Sequence, residues 1–542
     1  MKKYIVKNLK WLNLFVIMVL LSNLAAVVVQ FVKGAVLNLA LEQNNKKFLI
    51  CVLALLGSIA VEILLTYLSF RFENSFKINT MKALKKDFFH ATLRMKYPDF
   101  QAEGNENVLA KYNVVLPEIQ NRYMGALTLL FGFIVKIITI TVALITLDWR
   151  LAIITLVLLS MPIYIPKIFE KKLQEYQKKF MDSSNELTAF LTNILEGFEV
   201  IKNFSVEKKF LNLFIKKNDD TSAASLKNEN YGAFMKILMA CMSYFSYFVI
   251  IAFSGYLVYK GEFDAGQFFI AVGMIDQLSY PIIGISGCIQ SVVAMKPMIK
   301  ETTEFMLSNS GEESYVDGFS KGIKCNNVSF KYEDEDEYIL KNVDFEIKKN
   351  GKYLIVGENG SGKTTFVNCL LKYHEVNNGE ILYDDVNISK VDSVFNVCSV
   401  LRQNVFLFAD NLRNNITLFN NTISDKEIID VLKKLKLDKY ANAEGLDMLV
   451  GSGGVVLSGG EQRKIGLART LLANKNILIL DEPLANLDQD SKDVIMNSII
   501  NIKDKTLIMI SHEWLERAKG SENQFDGVLR IKNMSVSGNA YA

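Results

Sequence analysis

Apolar residues are distributed unevenly along this chain, and the unevenness divides it. Over roughly its first three hundred positions long hydrophobic stretches alternate with basic, helix-forming stretches. Crossing a hydrocarbon layer of ~30 Å takes about 20 mostly apolar helical residues. Stretches that meet this requirement lie near Trp11–Leu41, Phe48–Phe70, Tyr123–Leu147, Leu151–Ile165, Ala233–Tyr259 and Gln267–Met295. The pattern therefore predicts six membrane helices. The turns around Glu42–Lys47, Asp148–Arg150 and Lys260–Ala265 are short, whereas the two alternate, inner loops run for about fifty residues or more and are rich in helix formers. Amphipathic patterning of this kind suits helices that continue beyond the membrane.

After about Lys300 the texture changes. Ser308–Glu313 is polar and turn-rich, and beyond it short β-branched runs such as Tyr353–Val356 and Ile477–Leu480 alternate with helical patterns. That alternation predicts an α/β domain with parallel strands. The expected organisation is a six-helix membrane domain over 1–305, a linker over 306–318 and an α/β domain over 319–542.

Charge orients the first part. Lys2, Lys3, Lys7 and Lys10 precede the first span, Arg71, Lys77, Lys82, Lys85, Lys86, Arg94 and Lys96 follow the second, and Lys167, Lys171, Lys172, Lys178 and Lys179 follow the fourth. Positive flanks mark the cytoplasmic side, so both ends of the chain are expected there. The initial Met1-Lys2-Lys3 before an apolar run could suggest a secretory signal. The run continues to about Leu41, too long for a signal core, and reads instead as the first membrane helix.

Composition removes other classes. Hydrophobic residues make up 50% of the chain and the mean hydropathy is positive, as expected if part of it sits in lipid. A net charge of +3 over 542 residues argues against binding nucleic acid through bulk phosphate attraction. The six cysteines (Cys51, Cys241, Cys288, Cys325, Cys369 and Cys398) are widely spaced, fit neither a zinc set nor a disulfide framework, and read as small hydrophobes. Few prolines, histidines and tryptophans beside abundant lysine and asparagine suggest an AT-rich bacterial genome, and hence a bacterial plasma membrane.

The chemistry begins at the strand Tyr353–Val356, which runs into Gly357-Glu358-Asn359-Gly360-Ser361-Gly362-Lys363-Thr364-Thr365. This is G-x-x-x-x-G-K-[ST] between a strand and an apolar helix, the context the motif requires. Its glycines let backbone N–H groups curl around phosphates and its helix N-terminus adds positive potential. The candidate phosphate-binding residues are Gly357, Asn359, Gly360, Ser361, Gly362, Lys363, Thr364 and Thr365. Lys363 is expected to reach the β- and γ-phosphates, and Thr364 to supply a magnesium ligand. A second apolar strand, Ile477–Leu480, ends in Asp481-Glu482. Asp481 is placed to hold magnesium, directly or through water, and Glu482 to polarise the attacking water.

Leu457-Ser458-Gly459-Gly460-Glu461-Gln462, ahead of a helical run, resembles the signature motif of ATP-binding-cassette (ABC) proteins. In that family the motif caps the γ-phosphate of ATP bound to the opposite subunit, which implicates Ser458, Gly459, Gly460 and Glu461. Further matches follow in the family's order. Tyr332 resembles the aromatic residue that stacks on adenine, and Gln403 the glutamine that senses magnesium and contacts the membrane domain. Asn486-Leu487-Asp488 resembles the loop joining the two ATP sites, and His512 the histidine that contacts the γ-phosphate. One departure lies in Val450–Gly454, where Ser452 stands in a stretch lacking the acidic residue that exporters of this family often carry. The acidic run Glu333–Glu337 reads as a solvated loop.

Asp148-Trp149-Arg150-Leu151 and Glu196–Phe204 resemble segments of the family's exporters, and membrane part before cassette on one chain is the half-exporter arrangement. The resemblance implies a dimer, most simply a homodimer, with ATP and Mg2+ as cofactors and alternating access driven by ATP. For cargo it leaves a peptide or amphipathic small molecule, with a lipid or lipid-linked flippase, or an importer built on the exporter fold, as alternatives. No cysteine-protease stretch precedes the first span, so cleavage of a peptide cargo is not expected. Glu62, Lys136 and Asp276 are ionisable residues inside apparent spans and stand as candidates for a cargo role.

Overall fold

The computed structural model describes residues 1–161, 164–311, 314–332, 335, 337–358, 360–484, 487–511, 525–532 and 535–540. The chain forms two compact units, Met1–Leu93 with Glu106–Ser308, and Arg94–Asn105 with Asn309–Ala542.

The first unit is helical. Among the described residues, five helices are long and apolar enough to cross a membrane: Leu9–Leu41, Asn45–Leu93, Asn105–Leu147, Glu207–Tyr259 and Ala265–Ser308. The fourth expected span appears among the described residues as the shorter apolar helix Trp149–Leu158. Asn45–Leu93 has 49 residues and Glu207–Tyr259 has 53. At about 1.5 Å per residue these are about 75 and 80 Å long, more than twice the hydrocarbon thickness. The basic stretches after the second span and before the fifth are thus continuous with the spans as helix. The second inner loop breaks at Gly197 into the short helix Phe198–Asn203, which buries Ile201 and exposes Phe198 and Val200, with Phe204 exposed just after it.

Small residues bring spans close. A Cβ on Gly266 would lie 2.5 Å from the Gly34 carbonyl oxygen, and Asn38 accepts a hydrogen bond from the Gly266 N–H at 2.8 Å. Such close approach is how helices gain packing where lipid offers no hydrophobic drive. On the sixth span Tyr280 meets Phe133 of the third edge-on, with ring centroids 5.4 Å apart. One turn away, Lys136 is half-buried and within electrostatic reach of Glu62 and Asp276, so the three intramembrane charges form one group.

The second unit is built on a six-stranded sheet. Its strands are β1 Gly322–Phe330, β2 Leu340–Lys348, β3 Lys352–Gly357, β4 Asn378–Tyr383, β5 Val386–Asn387, β6 Cys398–Leu401, β7 Asp410–Asn411, β8 Leu449–Val450, β9 Ile477–Asp481, β10 Thr506–Ile510, β11 Gly527–Lys532 and β12 Ser535–Ala540. The main sheet has the order β12-β11-β3-β10-β9-β6, parallel except for β12, and an antiparallel sheet has the order β2-β1-β4-β5. Every residue of β9 and β10 is buried. A parallel sheet covered on both faces demands such continuous apolar strands. Cys325, Cys369 and Cys398 lie in this core as free thiols, each pushed up to about 12 by burial.

Candidate ATP site

In parallel sheets the C-terminal strand ends form the binding edge, and four such ends converge here. Register pairs Ile355 with Ile510, Ile510 with Asp481, and Leu480 with Leu401. This places Gly357, Asp481, the Arg402-Gln403 pair and Ser511 along one edge.

After β3 the chain turns through Gly360 and Gly362, at φ +80° and +99°, into the helix Lys363–Leu370. Only glycine adopts such angles without strain. Lys363 is buried, and its Nζ donates to the carbonyl oxygens of Gly357 (3.0 Å) and Glu358 (2.7 Å). Burial lowers its pKa, opposed by the nearby Glu482 and Asp481. The Ser361 hydroxyl is buried without a hydrogen-bond partner. A buried donor left unmatched costs about 1–3 kcal/mol, and a phosphate oxygen in the loop would fit it as a partner. Thr364 is exposed at the helix start and Thr365 is buried behind it, its Oγ1 3.5 Å from the Tyr332 hydroxyl. Tyr332 is 38% exposed and packs edge-on against Phe330 and His374, leaving aromatic surface open beside the phosphate loop.

Asp481 closes β9 in a buried position, and desolvation raises its pKa despite the opposing charge of Arg402. Glu482 has φ +49°, a left-handed conformation rare outside glycine, and its N–H donates to the Ile510 carbonyl at 3.0 Å. Strain of this kind costs about 1–3 kcal/mol and is concentrated at functional sites. Its Oε2 accepts from Gln403 Nε2 at 2.9 Å. The residues present fit Mg2+ and nucleotide: hard oxygen donors at Thr364 and Asp481, and a glycine cradle with one orphaned hydroxyl.

Two arginines were not singled out from the sequence. Arg463, in the helix Gly459–Leu472, donates through Nη2 to the Gln403 carbonyl at 2.6 Å, with Glu482 and Asp481 within electrostatic reach. Arg402 lies 3.6 Å from Asp481. The signal for Arg402 was its place beside Gln403, but only strand register shows that it stands next to Asp481.

The Ser458–Glu461 segment is an exposed helix N-terminus. Ser458 caps the helix, its hydroxyl accepting from the Glu461 N–H at 3.3 Å, while the Glu461 carboxylate accepts from the Ser458 N–H at 2.9 Å. Glu461 also pairs with Lys439 and accepts from Tyr440. A Cβ on Gly459 would meet open space and one on Gly460 only Leu487, so both backbones remain accessible to an anion. Asp488 caps the helix Gln489–Ile500 by accepting from the Ser491 N–H, and those bonds lower its pKa. Asn359, Asn486 and His512 lie outside the described residues.

Comparison with known proteins agrees with this geometry. Residues 12–282, half of the chain, match the family described as the ABC transporter transmembrane region, and residues 340–485 match the ABC transporter family. A lipid A-core flippase of Syntrophus aciditrophicus is 29% identical over 375 residues, 67% of this chain and 62% of that protein. The multidrug resistance-like ATP-binding protein MdlB of Buchnera aphidicola is 27% identical over 500 residues, 88% of this chain and 84% of that protein. A bacterial Atm1-family ABC exporter solved with ATP bound superposes with a TM-score of 0.80 at 20% identity, covering 98% of this chain and 95% of that one. At that identity the likeness establishes the fold. The chain belongs to the ABC transporter family and carries its transmembrane region and its transport-coupled ATPase on one polypeptide.

Proposed function

We propose that this chain is the half-transporter of a homodimeric exporter that hydrolyses ATP to move a peptide or amphipathic small molecule out of a bacterial cytoplasm. The observation that carries the reading is the meeting of Lys363, Gln403, Asp481 and Glu482 on one sheet edge, beside a phosphate loop with an orphaned Ser361 hydroxyl.

ATP lies with its adenine on Tyr332 and its phosphates in the loop, where Lys363 exchanges its two carbonyl partners for the β- and γ-phosphates. Thr364 and Asp481, with Gln403 near, would hold magnesium, which when bound would supply neutralisation of phosphate charge. Glu482 orients a water toward the γ-phosphate and accepts its proton, and the family resemblance assigns His512 to the same phosphate. Ser458, Gly459 and Gly460 of the partner copy cap that phosphate through a helix N-terminus. Closure of the two ATPase units favours an outward-open membrane part, and hydrolysis resets it. The basic flanks put both chain ends in the cytoplasm. A relative named as a multidrug resistance-like protein supports the small-molecule reading, and one named as a lipid A-core flippase supports lipid as the second.

The test is reconstitution of the full chain in liposomes, with ATP hydrolysis recorded against peptides, amphipathic drugs and lipids, and Glu482→Gln as blank. Hydrolysis in the blank is expected to fall at least about 100-fold, the usual contribution of a positioned base, while ATP binding persists. Stimulation by peptides or drugs supports the reading. Stimulation by lipid alone replaces the cargo class, and turnover undiminished in Glu482→Gln removes Glu482 from its role.

A further inference from the structure

We propose that Arg402 is a positioning residue that links metal binding at Asp481 to the seating of Tyr97, a residue of the first inner loop. The inference rests on the reading of Asp481 as a magnesium ligand.

Strands β6 and β9 pair with Leu401 opposite Leu480, so the next residues, Arg402 and Asp481, emerge side by side. The guanidinium has three neighbours. Nη1 lies 3.6 Å from Asp481 Oδ2, Nη2 donates to Asn368 Oδ1 at 2.8 Å, and the guanidinium carbon sits 5.0 Å from the centre of the Tyr373 ring. The separation of 3.6 Å is too long for a good hydrogen bond, whereas 2.8 Å is not. Arg402 is therefore held chiefly by Asn368 and the aromatic face, with its charge at the edge of the Asp481 carboxylate.

Tyr373 is itself stacked on Tyr97, with ring centres 4.0 Å apart and planes inclined by 30°. The segment carrying Tyr97 clusters with the ATPase unit, and its neighbours hold it there: Arg94 donates to the Gly311 carbonyl at 2.8 Å, and Lys96 lies 3.8 Å from Asp392. On the other flank, the Asn368 amide lies 3.4 Å from His374 Nε2, and His374 packs against Tyr332. One arginine thus touches the carboxylate that takes the metal, a side chain that leads to the adenine tyrosine, and the ring on which the inner loop rests.

A divalent cation at Asp481 repels a guanidinium a few ångströms away. For the metal to bind well, Arg402 must be kept at its second station, on Asn368 and Tyr373. The hold of that second station depends on Tyr373, a planar partner for a planar cation, and Tyr97 braces Tyr373. Seating of the loop thereby favours metal at Asp481, and loss of the seat lets Arg402 lean on the carboxylate. An arginine that merely neutralised a buried aspartate would show no dependence on Tyr97.

The experiment uses the full chain in lipid nanodiscs on a Glu482→Gln background, so that binding is read without turnover. Binding of a fluorescent ATP analogue is followed as free Mg2+ is titrated. Arg402→Gln is expected to lower the half-saturating Mg2+ about three- to tenfold, in line with a partly buried charge pair. Tyr97→Ala is expected to raise it about twofold, to have no effect once Arg402 is glutamine, and to be matched to the parent by Tyr97→Phe. An unchanged titration in Arg402→Gln, or a Tyr97→Ala shift that persists without Arg402, overturns the proposal. If Arg402→Gln does not fold, Arg402→Lys keeps the charge but not the stacking face and is expected to reproduce the Tyr97→Ala shift; a parent-like titration there is equally fatal. A parent that binds nucleotide with no response to Mg2+ removes the metal-ligand reading itself. A Mg2+ response indifferent to Arg402 removes only this inference.

Discussion

At the scale of single residues the site is governed by conformations that its chemistry requires and its local sequence opposes. Gly362 stands at φ +99° with Ile339 Cγ2 only 2.8 Å from where a Cβ would be. Gly362→Ala meets both a forbidden backbone and a clash, and about 1–2 kcal/mol of stability is expected to be lost. Thermal unfolding of the purified chain measures that loss, and weakened ATP binding is expected beside it because the loop can no longer curl. Glu482 holds a left-handed conformation without glycine's freedom. The motif identified Glu482 by its place after Asp481, but its strain and its bond to Gln403 arise from packing against β10 and β6. Arg402 and Arg463 passed unnoticed in sequence for the same reason: each acquires its role from a neighbour dozens of residues away.

At the scale of elements, the long helices and buried strands were legible because their periodicity is long and their composition extreme. Less legible were the π-helical turns Lys111–Val115 and Ile119–Met124 on either side of the Pro117 turn, which no apolar pattern announces. The helix Gly459–Leu472 shows how one segment can serve both the fold and the proposed site. Its Ser458–Glu461 capping box closes the helix start while leaving the glycines free for an anion. Burial favours the neutral form of Glu461, but Lys439, Ser458 and Tyr440 outweigh it and hold its carboxyl at about 2. A carboxyl depressed in the folded state contributes stability fully above its ordinary value near 4.5 and loses it as pH falls toward 2. The melting temperature of the parent is therefore expected to fall more steeply than that of Glu461→Gln between those limits. Parallel melting curves against pH would remove the capping carboxylate as a stabilising group.

At the scale of the whole molecule, the exposed N-terminus of the signature helix and a self-bonded phosphate loop fit the proposed sandwich of two copies. Lys363→Ala disables the loop and Ser458→Arg blocks the signature, each at both sites of a homodimer. Co-expression of the two variants generates mixed pairs with one intact composite site, and hydrolysis is expected to return in the mixture though absent from either alone. Failure of the mixture, with mixed pairs shown by differential tags, counts against shared sites. Lys136 with Glu62 and Asp276 is another whole-molecule outcome, since three spans bring together charges that the chain scatters. What the sequence by itself determined is whatever depends on short-range composition: apolar runs long enough to span lipid, charge flanks that orient them, and a loop whose glycines precede a lysine at fixed spacing. Only tertiary structure decided which strand ends lie side by side, and so which charges face one another. Strand pairing is set by the burial of whole faces rather than by any local run, so the meeting of Arg402 with Asp481, or of Tyr97 with Tyr373, has no signature in the neighbouring residues.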